Sequence, residues 1–173
     1  MNKIISMIAF THLFLASTIA SAASDDLLGY WYTEDDDSIV KVELEKGKYV
    51  GNIIWLKELR YEKGDKNAGK LKSDRLNSNK KKRKRPIIGL NVLAGFSYDA
   101  GEKVWNGGTI YDPEKGKTYK CEIKFEKDPK SKTGKRLFVR GYIGIPVLGR
   151  TTYWYRTPEK DLRKFELIEA SDG

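Results

Sequence analysis

Alternation of apolar and polar residues is the dominant pattern along this chain. Residues 119–126 place an apolar side chain at every second position between charged ones, and residues 40–45 show the same period. This period predicts strands with one buried and one solvent-facing side, whereas helical spacing is scarce. Weaker strand patterns occupy residues 28–33, 48–57, 94–99, 103–111, 136–143 and 148–157.

Short turns separate most of these predicted strands, as at Lys46-Gly47 and Ala100-Gly101. Eight strands joined in this way predict an all-β fold, an eight-stranded up-and-down antiparallel barrel, with a two-sheet sandwich as the alternative. The exception is the connection between strands 3 and 4, residues 58–92, which is too long for a hairpin. In the charged tail, Leu162 and Phe165 have helical spacing, which predicts a short helix or an irregular tail there.

The N-terminus has the composition of a secretory signal. Lys3 precedes an almost uncharged apolar run over residues 4–19, and the small residues Ala20-Ser21-Ala22 follow. An uncleaved membrane anchor is the alternative, but the run is shorter than the roughly 20 residues that a spanning helix needs. We therefore expect a signal peptide at 1–22, a barrel domain at 23–157 and a charged tail at 158–173, in a protein exported to the periplasm or secreted.

The amino-acid composition limits the kinds of catalytic and metal-binding site that the mature chain can form. The one histidine, His12, lies in the predicted signal, so the mature chain has no histidine and one cysteine, Cys121. Catalysis by Ser-His-Asp or Cys-His groups and zinc sites made of His and Cys are excluded on this basis. We expect no enzymatic activity, no catalytic residue, no metal and no cofactor. Cys121 alternates with charged neighbours, which predicts a buried, unreactive thiol, with intermolecular pairing as the alternative.

Positive charge is concentrated in one segment. Of the formal net charge of +9, residues 57–85 alone carry +9, from thirteen Lys or Arg against four Asp or Glu. The segment predicts a basic loop on a near-neutral body. Its densest part is a candidate surface for a partner or an anionic envelope, with a solvated mobile loop as the alternative: Lys80, Lys81, Lys82, Arg83, Lys84 and Arg85. No aromatic residues interleave with these charges, so we expect no nucleic-acid partner.

Specific motifs resemble known proteins. Gly29 and Trp31 are similar to the G-x-W opening of lipocalins. The further segments RKRPIIG at 83–89, WNGGTIYDP at 105–113, RGYIG at 140–144 and GRTTYW at 149–154 resemble a family of exported bacterial proteins classed as domain of unknown function 2147. The resemblance covers nearly all of residues 28–157. It implies a lipocalin-like barrel outside the cytoplasm, with no established activity.

In such a barrel the long basic loop, the turn after Tyr111 and residues 144–147 would meet at one mouth. A small ligand with an apolar part and an anionic head would suit this mouth, since guanidinium groups bind anions and inward apolar side chains bind the rest. The candidate ligand contacts are Arg140, Tyr142, Arg150, Trp55, Tyr119, Ile123 and Trp154. Surface ion pairing for the arginines and ordinary core packing for the others are the alternatives. A second function remains open, an envelope adaptor that binds its partner through the basic loop.

Closure of the barrel makes a further prediction about its opposite end. The first and last strands become antiparallel neighbours, which places Trp31 beside Arg156 and Arg150 roughly 20 Å away. The resemblance to lipocalins implies an arginine packed over the G-x-W tryptophan. Gly29, Trp31 and Arg156 are therefore predicted to be structural residues.

Overall fold

The computed structural model describes residues 24–158 and 160–162. Eight strands form a closed antiparallel barrel in which each strand pairs with its neighbours in the chain, and the last pairs with the first. The strands are β1 (Gly29–Tyr32), β2 (Ser38–Glu45), β3 (Lys48–Leu56), β4 (Asn91–Asp99), β5 (Val104–Asp112), β6 (Lys117–Lys127), β7 (Lys135–Tyr142) and β8 (Arg150–Arg156). The prediction of an up-and-down barrel is confirmed, and the sandwich alternative is wrong.

The two ends of the chain are only partly described. The predicted signal peptide at 1–22 lies outside the described residues, as does Phe165 of the predicted tail helix. Residues 160–162 are helical. Within the described ranges, no helix is long and apolar enough to cross a membrane.

The alternating pattern produces the strands that it predicts. In β6, Cys121 and Ile123 are buried, while the charged Glu122 between them is on the other side of the sheet. The boundary of β4 was predicted at residue 94, but the strand starts at Asn91. Val92 and Leu93 are adjacent and both buried, because the pairing of β3 with β4 shifts register there. This irregularity breaks the two-residue period that marks a strand in the sequence.

Aromatic side chains fill one half of the barrel. Trp105 lies at the centre of this cluster, with ring centroids 4.8 Å from Tyr98 and 5.6 Å from Phe125. Phe125 in turn lies 5.9 Å from Trp31, which pairs with Arg156 across β1 and β8. Aromatic side chains therefore close the end of the barrel that contains Trp31, and the opposite end of the barrel is open.

Candidate functional site: a cavity at the open end of the barrel

A cavity of about 1360 Å³ occupies the open half of the barrel and its mouth. Its walls are mostly apolar side chains of the strands, and its rim carries charged residues of the connecting loops. The strand residues that line it include Val40, Ile53, Val92, Ile110, Tyr119, Val139, Thr152 and Trp154. A concave apolar site with a polar rim is typical of pockets that bind small organic molecules.

The long basic loop, residues 57–90, folds back over the mouth of this cavity. Its Tyr61 and Ile87 side chains are buried and line the cavity. Two isolated bridges, one between Arg60 and Leu71 and one between Ser73 and Pro86, fold the loop on itself. The loop is therefore a hydrogen-bonded part of the site, in contrast to the mobile loop considered from the sequence.

A buried carboxylate holds this loop on the barrel. Asp74 is fully buried and accepts hydrogen bonds from Arg85 Nε at 2.8 Å, Asn77 Nδ2 at 2.7 Å and the Tyr111 hydroxyl at 2.5 Å. Arg85 Nη2 completes an ion pair at 2.7 Å. Burial, and then the hydrogen bond to Asp74, raises the pKa of Tyr111. Since Tyr111 belongs to β5, the network joins the basic loop to the barrel wall.

The turn between β5 and β6 packs against the same loop. Gly116 has a φ of +64°, and a Cβ at this position would overlap the backbone of Leu76. Asp112 accepts hydrogen bonds from the backbone N–H groups of Glu114 at 2.9 Å and Lys115 at 3.1 Å, which shapes the turn. The Asp112-Pro113 motif at the end of β5 therefore has a structural role in this chain, because it forms the turn that packs against the loop.

The predicted basic surface divides into two groups. Lys80–Lys82 form a short 3-10 turn with Asn79 at its N-cap, and these lysines and Lys84 are exposed. Arg83 and Arg85 are different, since Arg83 Nε donates to the Asn77 carbonyl at 2.7 Å and Arg85 binds Asp74. The two arginines are therefore held by hydrogen bonds within the loop, although Arg83 is exposed like the four lysines.

Four of the seven predicted ligand contacts line the cavity: Tyr119, Tyr142, Arg150 and Trp154. Ile123 is fully buried beside Trp105 in the filled half. Trp55 packs edge-on against Tyr32 at 6.0 Å, a neighbour of the inward Trp31. The placement of Trp55 inside the barrel was wrong, because a register shift in the pairing of β2 with β3 changes which side it faces.

The prediction for Arg140 is also corrected. Its guanidinium donates to the carbonyls of Pro146 at 2.7 Å and Val147 at 3.1 Å, and to Thr151 Oγ1 at 2.6 Å. Arg140 therefore stabilises the loop between β7 and β8 and does not line the cavity. Arg150 does line it, but pairs with Glu34 at 3.2 Å and is largely exposed.

Lys72 is a cavity residue that the sequence did not single out. The lining cations Arg75, Lys115 and Arg150 are paired with carboxylates at 2.7 to 3.2 Å. Lys72 is half-buried at the cavity and, among the residues that the structure describes, has no carboxylate within 4.0 Å. Only the backbone fold, in which Lys72 N donates to Leu59 O and Lys72 O accepts from Ile87 N, places it there.

In the described part of the chain, no group of three or more His, Cys, Asp or Glu side chains is arranged to hold a metal ion. The chemistry that this arrangement offers is apolar contact with a charged rim.

A barrel closed at one end by a tryptophan–arginine pair and hollow at the other defines the lipocalin-like class of folds. Protein HP1028 of Helicobacter pylori, described as belonging to the lipocalin family, has a similar structure, with a TM-score of 0.60 and 23% sequence identity over 81% of this chain and 88% of that one. The chain belongs to the bacterial family DUF2147, described as "uncharacterized protein conserved in bacteria", whose model matches residues 29–156. A comparison with curated protein sequences finds no significant match.

Proposed function

We propose that this protein binds and carries a small amphipathic molecule in the cavity at the open end of its barrel. The observation that carries the proposal is the cavity itself, about 1360 Å³ in volume and walled by apolar and aromatic side chains. A barrel of eight strands is wide enough either to fill with side chains or to hold one small ligand. In this chain aromatic side chains fill the closed half of the barrel, and the open half contains the cavity.

The polarity of the rim supports a ligand with an anionic head. Lys72 is the half-buried cation of the cavity that has no carboxylate partner among the described residues. A ligand anion would supply that partner, while Ile110 and Trp154 would contact the apolar part of the ligand. In this proposal the protein is a binding protein, and its work takes place outside the cytoplasm after export.

A fluorescent probe tests this proposal directly. N-phenyl-1-naphthylamine is apolar, uncharged and bright only in apolar surroundings, so it should bind the wild-type protein with a saturable rise in emission. Ile110→Trp adds bulk to the cavity wall and should abolish that rise. Val50→Trp is the matched control, because Val50 lies between the inward residues Tyr49 and Gly51 of β3 and does not line the cavity. Equal binding by both variants would contradict the proposal.

A further inference from the structure

The loop between β7 and β8 exposes an uninterrupted apolar sequence. Residues 143–148 read Ile-Gly-Ile-Pro-Val-Leu, and we name them the apolar tip. Four of their side chains are more than half exposed, Ile143 at 68%, Ile145 at 56%, Val147 at 72% and Leu148 at 78%. Contiguous exposed apolar surface of this kind usually marks a binding surface.

The tip has a defined conformation. Pro146–Leu148 form a 3-10 turn, and Gly149 N donates to Pro146 O at 2.9 Å. Arg140 donates to two further carbonyls of the tip, those of Pro146 and Val147. These bonds satisfy backbone groups of the tip and leave its side chains directed outward. A tip held in one conformation loses little entropy when it binds.

The position of the tip relates it to the cavity and to the basic loop. Ile143 and Leu148 line the cavity mouth, and so do Lys57 and Lys63, two exposed lysines of the basic loop. The basic segment carries +9 over residues 57–85, and the four acidic residues at 34–37 offset only part of that charge. Apolar side chains and exposed cations therefore occur together at the open end.

From this combination we propose that the apolar tip inserts into the surface of an anionic lipid bilayer, with the mouth of the barrel turned towards the membrane. Apolar side chains enter the boundary between headgroups and acyl chains, while nearby lysines are attracted to anionic headgroups. The charge favours this partner over a second copy of the chain, since two copies that meet at their open ends would bring the two basic segments together.

Vesicle co-sedimentation tests the proposal. Wild-type protein should bind vesicles of equal parts phosphatidylglycerol and phosphatidylcholine, and should bind pure phosphatidylcholine vesicles much more weakly. The double variant Ile145→Ser/Val147→Ser should lower the partition coefficient by about tenfold or more, because two apolar side chains no longer insert. Leu44→Ser is the matched control, an apolar residue of β2 that is 50% exposed and should leave binding unchanged.

A second measurement separates this proposal from the ligand-binding function. Neither Ile145 nor Val147 lines the cavity, so N-phenyl-1-naphthylamine binding by the double variant should equal that of wild type, which also shows that the fold is intact. Failure of wild type to bind anionic vesicles, equal binding to both vesicle types, or unchanged binding by the double variant would overturn the proposal. A wild-type dimer that the double variant converts to monomer would assign the tip to self-association and also overturn it.

Discussion

The guanidinium carbon of Arg156 lies 4.0 Å from the ring centroid of Trp31, across the seam that closes the barrel. Arg156 also donates to the carbonyls of Leu28 at 2.5 Å and Asp26 at 2.6 Å, while Trp31 Nε1 donates to Leu27 O at 2.8 Å. Gly29 lies against this pair, since a Cβ there would stand 2.7 Å from Arg156 Nη1. The contact that was predicted from closure is confirmed, and the chain before β1 is bonded to the end of β8.

Removal of this guanidinium should destabilise the protein strongly. Arg156→Ala loses a cation–π contact and hydrogen bonds from a charged donor, which together contribute about 3 kcal/mol. Arg150→Ala is the control, because the ion pair of Arg150 with Glu34 is exposed and surface pairs contribute about 0 to 1 kcal/mol. Urea unfolding measures both variants. Equal free energies of unfolding for the two would contradict the structural assignment of Arg156.

Loss of the Asp74 carboxylate should release the basic loop. Asp74→Asn removes the buried carboxylate that pairs with Arg85, which should destabilise the folded loop by about 3 kcal/mol. Trypsin should then cleave residues 80–85 about tenfold faster or more, as read by mass spectrometry of the fragments. Asp65→Asn removes a partly exposed pair with Arg75 and should change the rate little. Similar rates for the two variants would show that Asp74 does not hold the loop.

Cys121 should make stability fall at high pH. Burial raises the pKa of its thiol to about 12, so the folded protein keeps a proton that the unfolded chain loses above about pH 9. Stability from this group is full below the unfolded pKa and declines as pH rises towards the folded one. The stability of wild type relative to Cys121→Ala should therefore decrease by about 1.4 kcal/mol per pH unit above about 9, in matched unfolding curves. A difference that stays constant with pH would contradict this.

The same burial predicts slow chemistry at this thiol. A thiol reagent should label the folded protein slowly at neutral pH and rapidly in denaturant, because the reactive thiolate is rare and the side chain is 2% exposed. Rapid labelling of the native protein would be inconsistent with the structure.

Strict local alternation made much of the fold predictable. Residues such as Cys121 and Ile123 lie on the predicted side, because β6 pairs with β7 without a register shift and the extra residue in the β5–β6 pairing belongs to β5. Because closure pairs the first strand with the last, it was sufficient to predict that Trp31 lies beside Arg156. Irregular pairing limited the prediction, since the register shifts near Trp55 and Leu93 leave no clear mark in the sequence.

The site was less predictable than the barrel. Arg140 and Arg150 were candidates because of their charge and their place near the mouth, but hydrogen bonds inside the loop and a pair with Glu34 engage them. Lys72 was one of thirteen basic residues in the segment 57–85. Identifying Lys72 as a cavity residue requires the conformation of the loop, which depends on contacts between distant residues such as Asp74 and Tyr111.

Two related probes should distinguish the role of Lys72. The 1-anilinonaphthalene-8-sulfonate ion has the same aromatic skeleton as N-phenyl-1-naphthylamine with an added sulfonate. Lys72→Met should weaken sulfonate binding by about tenfold, the effect of losing about 1.4 kcal/mol from a charged hydrogen bond, and leave the neutral probe unaffected. Lys63→Met is the control, because Lys63 also lines the cavity but is exposed to solvent. An equal loss for both probes would exclude an anion-binding role for Lys72.

Mass spectrometry of the protein purified from its native host tests the ligand-binding account most directly. Extraction of the wild-type protein with organic solvent should release a small amphipathic molecule in near-stoichiometric amount, and extraction of Ile110→Trp prepared in parallel should release little or none. The neighbouring control Val50→Trp should release as much as wild type. Wild-type protein that releases no more small molecule than Ile110→Trp, with an equally folded barrel in both, would contradict the account.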